Sequence, residues 1–306
     1  MKILTSPSSF GEVGLEPLTI LNQNKFEIIN NPFGRKLTEA EVIDLAKDCI
    51  GIIAGVEPIT ASVMDALPNL KCISRVGVGM DNVDLEYAKQ KGIAVLNTPD
   101  GPTRAVAELT VAMTMSLLRR IPQAHTNLKS KIWKKETGNL LFGKTIGVIG
   151  LGRIGRLVAE LFRGLGNPVI GFDITPDLKW AKEKGVELAN FETVLKQADI
   201  ITFHVPGNKD KSPVIGEKEF GQIKNGAFLI NIARGGVIDE QALYNALKAN
   251  KLSGAALDVF SNEPYEGNLC ELDNVVLTPH IGSYAAEGKL LMEIDAVKNL
   301  VRTLAK

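Results

Sequence analysis

The chain holds three histidines, His125, His204 and His280. A reaction that moves a hydride and a proton together needs a base that titrates near neutrality, and imidazole is the usual choice. His280 stands in Leu277-Thr-Pro-His-Ile-Gly282, just after an apolar run. Ligands of parallel α/β sheets bind beyond the carboxyl ends of strands, so the position suits an acid–base group. A structural histidine would also fit there. Arg234 lies in Ile230-Asn-Ile-Ala-Arg-Gly-Gly236, at another strand end followed by two flexible glycines. A guanidinium so placed can grip a carboxylate with two parallel hydrogen bonds, or form a surface ion pair. Asp258 and Glu263 stand in Leu257-Asp-Val-Phe-Ser-Asn-Glu-Pro264. Asp258 ends a strand, Pro264 holds Glu263 extended, and either carboxylate could also be a solvated loop residue.

These groups need a cofactor to exchange the hydride with, and a second pattern supplies a place for one. Thr145-Ile-Gly-Val-Ile-Gly-Leu-Gly-Arg-Ile-Gly155 is an apolar strand followed by glycines at 150, 152 and 155. Gly150 permits a tight turn, Gly152 lets a pyrophosphate approach the backbone, and Gly155 lets helix and strand pack closely. The helix N-terminus offers N–H groups and a positive dipole end. Asp173 follows 18 positions after Gly155, at the end of Pro168-Val-Ile-Gly-Phe-Asp173. It would accept hydrogen bonds from a ribose and repel a 2′-phosphate. Ile174, Thr175 and Pro176 supply no arginine for such a phosphate, so NAD is favoured over NADP.

The elements that must position these residues are two series of strands and helices. In the first, apolar runs at 2–5, 26–29, 50–54, 71–76 and 93–97 alternate with helical segments such as 38–47 and 84–91. In the second, strands are expected at 145–150, 168–173, 199–204, 227–232, 254–258 and 275–278, with helices at 153–165, 176–184, 191–196 and 240–249. Several are continuous apolar runs, as in parallel strands covered on both faces. Thr175 is the expected N-cap of the 176–184 helix, with Pro176 at its first position. The 306 residues fit two domains. The boundary is expected near Asn97-Thr-Pro-Asp-Gly-Pro102, and a helix over about 285–305 is expected to return to the first domain. That gives a substrate domain of 1–98 with 285–306, and a nucleotide domain of 99–284.

Composition narrows the class. The chain is 45% hydrophobic and 23% charged with net charge zero, so it reads as soluble and globular, with neither nucleic acid nor anionic membrane as partner. Three cysteines without C-x-x-C spacing read as reduced, mostly buried thiols of a cytoplasmic protein. The apolar run at the start is too short for a signal peptide. The low-polarity stretch 105–118 is shorter than the roughly 20 residues of a membrane span and contains Glu108. No His/Cys cluster has metal-ligand spacing. His125, among Lys and Arg, is expected at the surface, and His204 is expected to orient its loop.

Taken as an ordered set, Gly-Leu-Gly-Arg-Ile-Gly, Ile-Ala-Arg-Gly-Gly, Leu-Asp-Val-Phe-x-x-Glu-Pro and Thr-Pro-His-Ile-Gly resembles the D-isomer-specific 2-hydroxyacid dehydrogenases. The 29-residue step from Arg234 to Glu263 agrees, as do Arg75-Val-Gly-Val-Gly-Met-Asp-Asn-Val-Asp84 and Asn97-Thr-Pro-Asp-Gly with Val106-Ala-Glu108. The likeness runs from about residue 50 to 290. Within the family it is greatest to short D-3-phosphoglycerate dehydrogenases without a C-terminal regulatory domain. The resemblance implies two doubly wound α/β domains, a Rossmann-type NAD domain and a flavodoxin-like substrate domain, with a cleft and a hinge between them. It implies His280 as acid/base, Glu263 as its partner, and Arg234 on the substrate carboxylate. Gly77, Val78 and Gly79 would add N–H donors, as a small anion nest does. On the cofactor side it implies Arg153 and Ile154 at the pyrophosphate, Val205 and Pro206 at the adenosine, and Ala233 and Asp258 at the carboxamide. Gly282 would lie close to the nicotinamide ring, and Ile232 and Val78 would also bind the cofactor. It also implies a homodimer through the helix from Arg104 and the segment of Trp133, Leu140 and Phe142.

The chain departs from the phosphoglycerate pattern in one loop. Ala54-Gly-Val-Glu-Pro-Ile-Thr60 has no Lys or Arg to meet a phosphate, and Glu57 would repel one if it pointed inward. Arg75 and Arg104 are the remaining candidates for a second anionic group. Other small hydroxy acids, of hydroxypyruvate or glyoxylate type, stay open. So does a non-catalytic, NAD-sensing corepressor-like protein, although Arg234, Glu263 and His280 are all present. A formate dehydrogenase is disfavoured, because Thr278 and Pro279 precede His280 where a Gln is usual.

Overall fold

The computed structural model describes residues 1–208, 210 and 212–304. Contacts divide the chain into two compact units, one of residues 1–105 and 283–306, the other of 106–282. In the first, strands and helices alternate: β1 (Lys2–Thr5), α1 (Glu16–Gln23), β2 (Glu27–Asn30), α2 (Glu39–Ala46), β3 (Cys49–Ala54), α3 (Ala61–Ala66), β4 (Cys72–Arg75), α4 (Leu85–Gln90) and β5 (Ala94–Leu96). Helix α5 (Gly101–Leu118) and helix α6 (Ile121–Lys129) follow. The second unit continues with β6 (Ile146–Ile149), α7 (Arg153–Gly164), β7 (Val169–Phe172), α8 (Leu178–Lys184), β8 (Glu187–Leu188) and α9 (Phe191–Gln197). It is completed by β9 (Ile200–Phe203), α10 (Glu217–Gln222), β10 (Ala227–Asn231), α11 (Glu240–Lys248), β11 (Leu252–Leu257) and β12 (Val275–Leu277). Helix α12 (Ala286–Leu304) belongs to the first unit.

The first sheet has the order β2-β1-β3-β4-β5, all parallel. Alternate residues face opposite sides of a strand. Leu4, Ile52 and Ile73 therefore pack on α2 and α3 through Val42, Ala46 and Val63, while Ile3, Ile53 and Cys72 pack on α12 through Ala296, Val297 and Leu300. The seven strands of the second sheet run β12-β11-β10-β9-β6-β7-β8, again parallel. Its strands are buried on both faces, so they read as continuous apolar runs. Both orders reverse direction at one place, between β1 and β3 and between β6 and β9. Such reversals open the crevices in which α/β proteins bind ligands.

Local signals explain most helix starts. Thr38 and Asp84 cap α2 and α4, and Thr38 forms a reciprocal capping box with Glu41. Helix α8 corrects the sequence reading. Its cap is Asp177, which accepts from the Trp180 N–H at 3.0 Å, and not Thr175. The Thr175 N–H is taken by the Asp173 carboxylate at 2.8 Å, which holds residues 173–175 outside the helix. Cys49 and Cys72 are buried free thiols, and Cys270 is exposed. No helix among the described residues is long and apolar enough to cross a membrane.

Candidate active site

The Gly-rich turn closes β6 onto α7. Gly150 has φ +92°, and a Cβ there would lie 2.6 Å from the His204 carbonyl oxygen. At Gly155 a Cβ would lie 1.8 Å from the Gly150 carbonyl oxygen, so only glycine lets strand and helix approach this closely. Gly152 differs, because its Cβ position opens on empty space. As N-cap of the 12-residue α7 it contributes no side-chain oxygen, which leaves the first N–H groups for an outside acceptor. Arg153 is exposed and Ile154 half-buried at this end, while Gly155, Val158, Ala159 and Phe162 form the buried stripe of α7. Asp173 reaches back to the turn, and its Oδ2 accepts from the Leu151 N–H at 2.7 Å. A carboxylate has about four lone-pair sites, so capacity remains for two ribose hydroxyls.

His204 ends β9. Its Nε2 is 3.0 Å from the Thr202 hydroxyl, and desolvation pushes the imidazole down to about 3. It is neutral at physiological pH and serves the loop that leads to Val205 and Pro206. His125 is exposed on α6.

Asp258, Glu263 and His280 come together beyond the carboxyl ends of β11 and β12, and Arg234 stands beyond the end of the neighbouring β10. The arrangement rests on two braces. Asp258, wholly buried, grips both flanks of His280. Its Oδ1 accepts from the Thr278 hydroxyl at 2.6 Å and the Ile281 N–H at 2.8 Å, and its Oδ2 from the Gly282 N–H at 2.7 Å. Burial pushes the Asp258 carboxyl above its usual range, against the pull of these three donors. Between the gripped residues His280 adopts φ +55°, a left-handed conformation uncommon for a side-chain-bearing residue. Strain of this kind persists where the surroundings over-determine it. Gly282 is close-packed as well, with Asp258 Oδ2, Val106 and Ile232 within 3.4 Å of a notional Cβ.

The second brace is the Glu263 loop. Glu263 Oε1 accepts from the Phe260 N–H at 3.0 Å, and Oε2 lies 2.8 Å from His280 Nδ1. A carboxylate accepts, so Nδ1 carries the hydrogen and Nε2 presents a lone pair. Glu240, in the first turn of α11, accepts from the Ser261 N–H at 2.6 Å, and Phe260 stacks on Tyr265 at 4.2 Å. The segment after Arg234 presses on the same loop: a Cβ on Gly235 would stand 1.9 Å from the Phe260 carbonyl oxygen. Gly235 is thus a point of backbone contact, where the sequence reading saw flexibility. Arg234 Nη1 donates to the Ala233 carbonyl at 2.7 Å. Asn231, buried, shapes the turn by accepting from the Ala233 N–H and donating to the Arg234 carbonyl. Sequence assigns no site role to Asn231 or Glu240, and Thr278 enters it only as part of the motif before His280. Only the type of Asn231, a polar residue ending an apolar strand, carried a signal.

In the first unit the Gly77 N–H donates to Thr98 Oγ1 at 2.8 Å, and the Asn97 side chain donates to the Val78 carbonyl at 2.8 Å. Among the described residues the N–H groups of Val78 and Gly79 meet no acceptor. Arg75 folds over this turn, donating to the Val76 carbonyl, and Arg104 is exposed. Glu57 points inward and is buried.

A Gly-rich turn and an uncapped helix N-terminus at the reversal point of a seven-stranded parallel sheet define a dinucleotide-binding α/β protein. Residues 111–282 match the D-isomer specific 2-hydroxyacid dehydrogenase NAD binding domain, and residues 9–142 match the catalytic domain of the same family. D-3-phosphoglycerate dehydrogenase of Archaeoglobus fulgidus is 43% identical over 247 residues, which is 79% of this chain and 47% of that protein. The Bacillus subtilis D-3-phosphoglycerate dehydrogenase is 38% identical over 280 residues, 90% of this chain and 52% of that one. The apo-structure of D-lactate dehydrogenase from Escherichia coli superposes with TM-score 0.88 at 30% identity, covering 100% of this chain and 97% of that one. D-lactate dehydrogenase from Aquifex aeolicus, complexed with NAD and lactic acid, gives 0.84 at 30% identity, covering 100% and 96%. The chain belongs to the D-isomer specific 2-hydroxyacid dehydrogenase family. It spans about half the length of the curated relatives it matches.

Proposed function

We propose that the protein is an NAD-dependent oxidoreductase that interconverts a D-2-hydroxy acid and its 2-keto acid. The observation that carries this reading is the Glu263–His280 pair at 2.8 Å, on the unit that also bears Arg234 and the Gly-rich turn. NAD, when bound, supplies the hydride acceptor at its nicotinamide. Gly150, Gly152, Arg153, Ile154 and Gly155 would hold the pyrophosphate, and Asp173 the ribose. Val205 and Pro206 would border the adenosine. Ile232, Ala233, Asp258, Gly282 and Val78 would surround the nicotinamide. Asp173 favours NAD over NADP by repelling a 2′-phosphate.

His280 Nε2 takes the proton of the substrate hydroxyl. Glu263 keeps Nδ1 protonated and stabilises the imidazolium that forms. Arg234 turns from the Ala233 carbonyl to the substrate carboxylate, binds it in bidentate fashion and polarises the neighbouring C2 oxygen. On the first unit, the turn of Gly77, Val78 and Gly79 would supply N–H donors for a substrate carboxylate. Domain roles follow: residues 106–282 hold the dinucleotide, and the discontinuous unit selects the acid. The exposed Trp133, Leu140 and Phe142 would be covered by a second copy in a homodimer. The curated relatives include D-3-phosphoglycerate dehydrogenases, and whether this chain takes a phosphorylated acid turns on the Glu57 loop.

The test is NADH oxidation with a panel of 2-keto acids. His280→Ala is expected to remove at least about 100-fold of kcat while leaving NADH fluorescence binding intact. Wild-type NADH binding without turnover on any keto acid would favour the binding-protein reading.

A further inference from the structure

The crevice of the first unit lies where β1 and β3 part, and three groups meet there. Ser6 follows β1, and Gly55 and Glu57 follow β3. Glu57 is 1% exposed, with its carboxylate turned inward. The Ser6 hydroxyl donates to Glu57 Oε1, and the Gly55 N–H donates to the same oxygen at 2.9 Å. The loop cannot easily swing away. Asn82 donates from its side chain to the Glu57 carbonyl at 2.6 Å and to the Gly55 carbonyl at 3.3 Å, and Ile59 pairs with Val83 one step further on.

A hydroxyl and a backbone N–H at the mouth of a parallel sheet are the donors that would receive an anion. In this chain an internal carboxylate already takes them. We infer that Glu57 is a specificity-determining residue, which fills the anion position of the first unit from within and restricts the substrate to 2-hydroxy acids with an uncharged far end. The inference rests on the dehydrogenase reading above.

Distance places the far end of a substrate at this point. Strand β4, which leads into the Gly77–Gly79 turn, neighbours β3, and β3 neighbours β1. Adjacent strands are about 4.8 Å apart. An acid anchored by its carboxylate at the turn after β4 would carry a phosphate on its third carbon, about 5 Å away, to the end of β3, where Gly55 and Glu57 stand. A phosphate there would face a buried carboxylate of the same sign and find both donors occupied. A hydroxyl or methyl group meets neither penalty.

Hydroxypyruvate and 3-phosphohydroxypyruvate differ only by the phosphate, so their kcat/KM ratio with NADH reads the inference directly. Wild type is expected to favour hydroxypyruvate by at least about tenfold, and Glu57→Ala and Glu57→Gln to move the ratio at least about tenfold toward the phosphorylated acid. Inorganic phosphate, titrated by phosphorus NMR, should bind more tightly to both variants than to wild type. Circular dichroism checks folding, and Glu57→Gln, which keeps the volume, carries the test if the alanine variant does not fold. Wild-type preference for the phosphorylated acid would overturn the inference. So would folded variants with unchanged ratio and phosphate affinity. If wild type turns over no 2-keto acid of the panel, the dehydrogenase reading fails on its own, and the change in phosphate affinity alone decides the role of Glu57.

Discussion

Replacing Asp258 with asparagine tests whether the brace on His280 matters to turnover. The carboxylate satisfies three donors with two oxygens, Thr278 and Ile281 on one and Gly282 on the other. An amide has one oxygen, so one side must fail. With the amide nitrogen toward Gly282, a buried N–H faces another donor. With the amide flipped, the Thr278 hydroxyl can rotate to accept, and only the Ile281 N–H is orphaned. Orphaning one such group costs about 1–3 kcal/mol. Part of this is offset, because a neutral side chain escapes the burial that pushes the Asp258 carboxyl up. A net loss of about 1–2 kcal/mol remains, and at about 1.36 kcal/mol per tenfold it lowers kcat roughly 5- to 30-fold if it falls on the placement of His280. Steady-state kinetics with NADH and the best keto acid, beside NADH titration and thermal melting, separate the contributions. A folded variant with kcat within about twofold of wild type would refute the brace. A loss confined to NADH affinity would assign Asp258 to the cofactor alone.

Gly235→Ala drives a Cβ to 1.9 Å from the Phe260 carbonyl oxygen, where only backbone can yield. It should cost about 1–3 kcal/mol, visible as a lower Tm. It should also reduce turnover by more than about tenfold by parting the Arg234 and Glu263 loops; an unchanged Tm would show that the contact relaxes freely. Glu293→Gln addresses pH. Glu293 is buried on α12, accepts from the Gly11 N–H at 3.0 Å, and faces Lys289 at 3.8 Å, with Glu12 on the far side of that lysine. Burial pushes its carboxyl above the ordinary value of 4.5. The folded state therefore keeps a proton that the unfolded chain releases, and stability from this group is full at low pH and lost as pH rises through the raised value. The glutamine variant should flatten that part of the Tm–pH curve, and an unaltered slope would remove Glu293 from it.

The legible parts of this chain were the local ones. Gly150, Gly152, Gly155 and Asp173 lie within one strand–helix–strand unit, and their roles depend on spacing alone. Thr38 and Asp84 act on N–H groups three residues away. At α8 the same logic pointed to Thr175, whereas Asp177 caps the helix and Asp173 takes the Thr175 N–H outside it. Partners distant in sequence were not legible. Asp258 reads as a strand-end carboxylate until Thr278, Ile281 and Gly282 fold back upon it. Glu57 meets Ser6 across 51 positions, so its inward direction could be posed from sequence only as a condition. Gly235 shows the limit for glycine, since open and close-packed positions are written with the same letter.

The inserted position of the nucleotide unit has a consequence for the order of synthesis. Residues 1–105 make a sheet with one face covered only in part, by α1 through Leu21, until α12 supplies Ala296, Val297 and Leu300. Everything between them belongs to the other unit, whose core clusters draw on residues 106–282 alone. Gly282 lies against Val106, with a notional Cβ 3.3 Å from its side chain. Once that unit has folded, the chain enters and leaves it at adjacent points. The closure of a very long loop, which would otherwise oppose the return of α12, is already achieved. On the ribosome the second unit should therefore fold first, and the N-terminal sheet should wait for it.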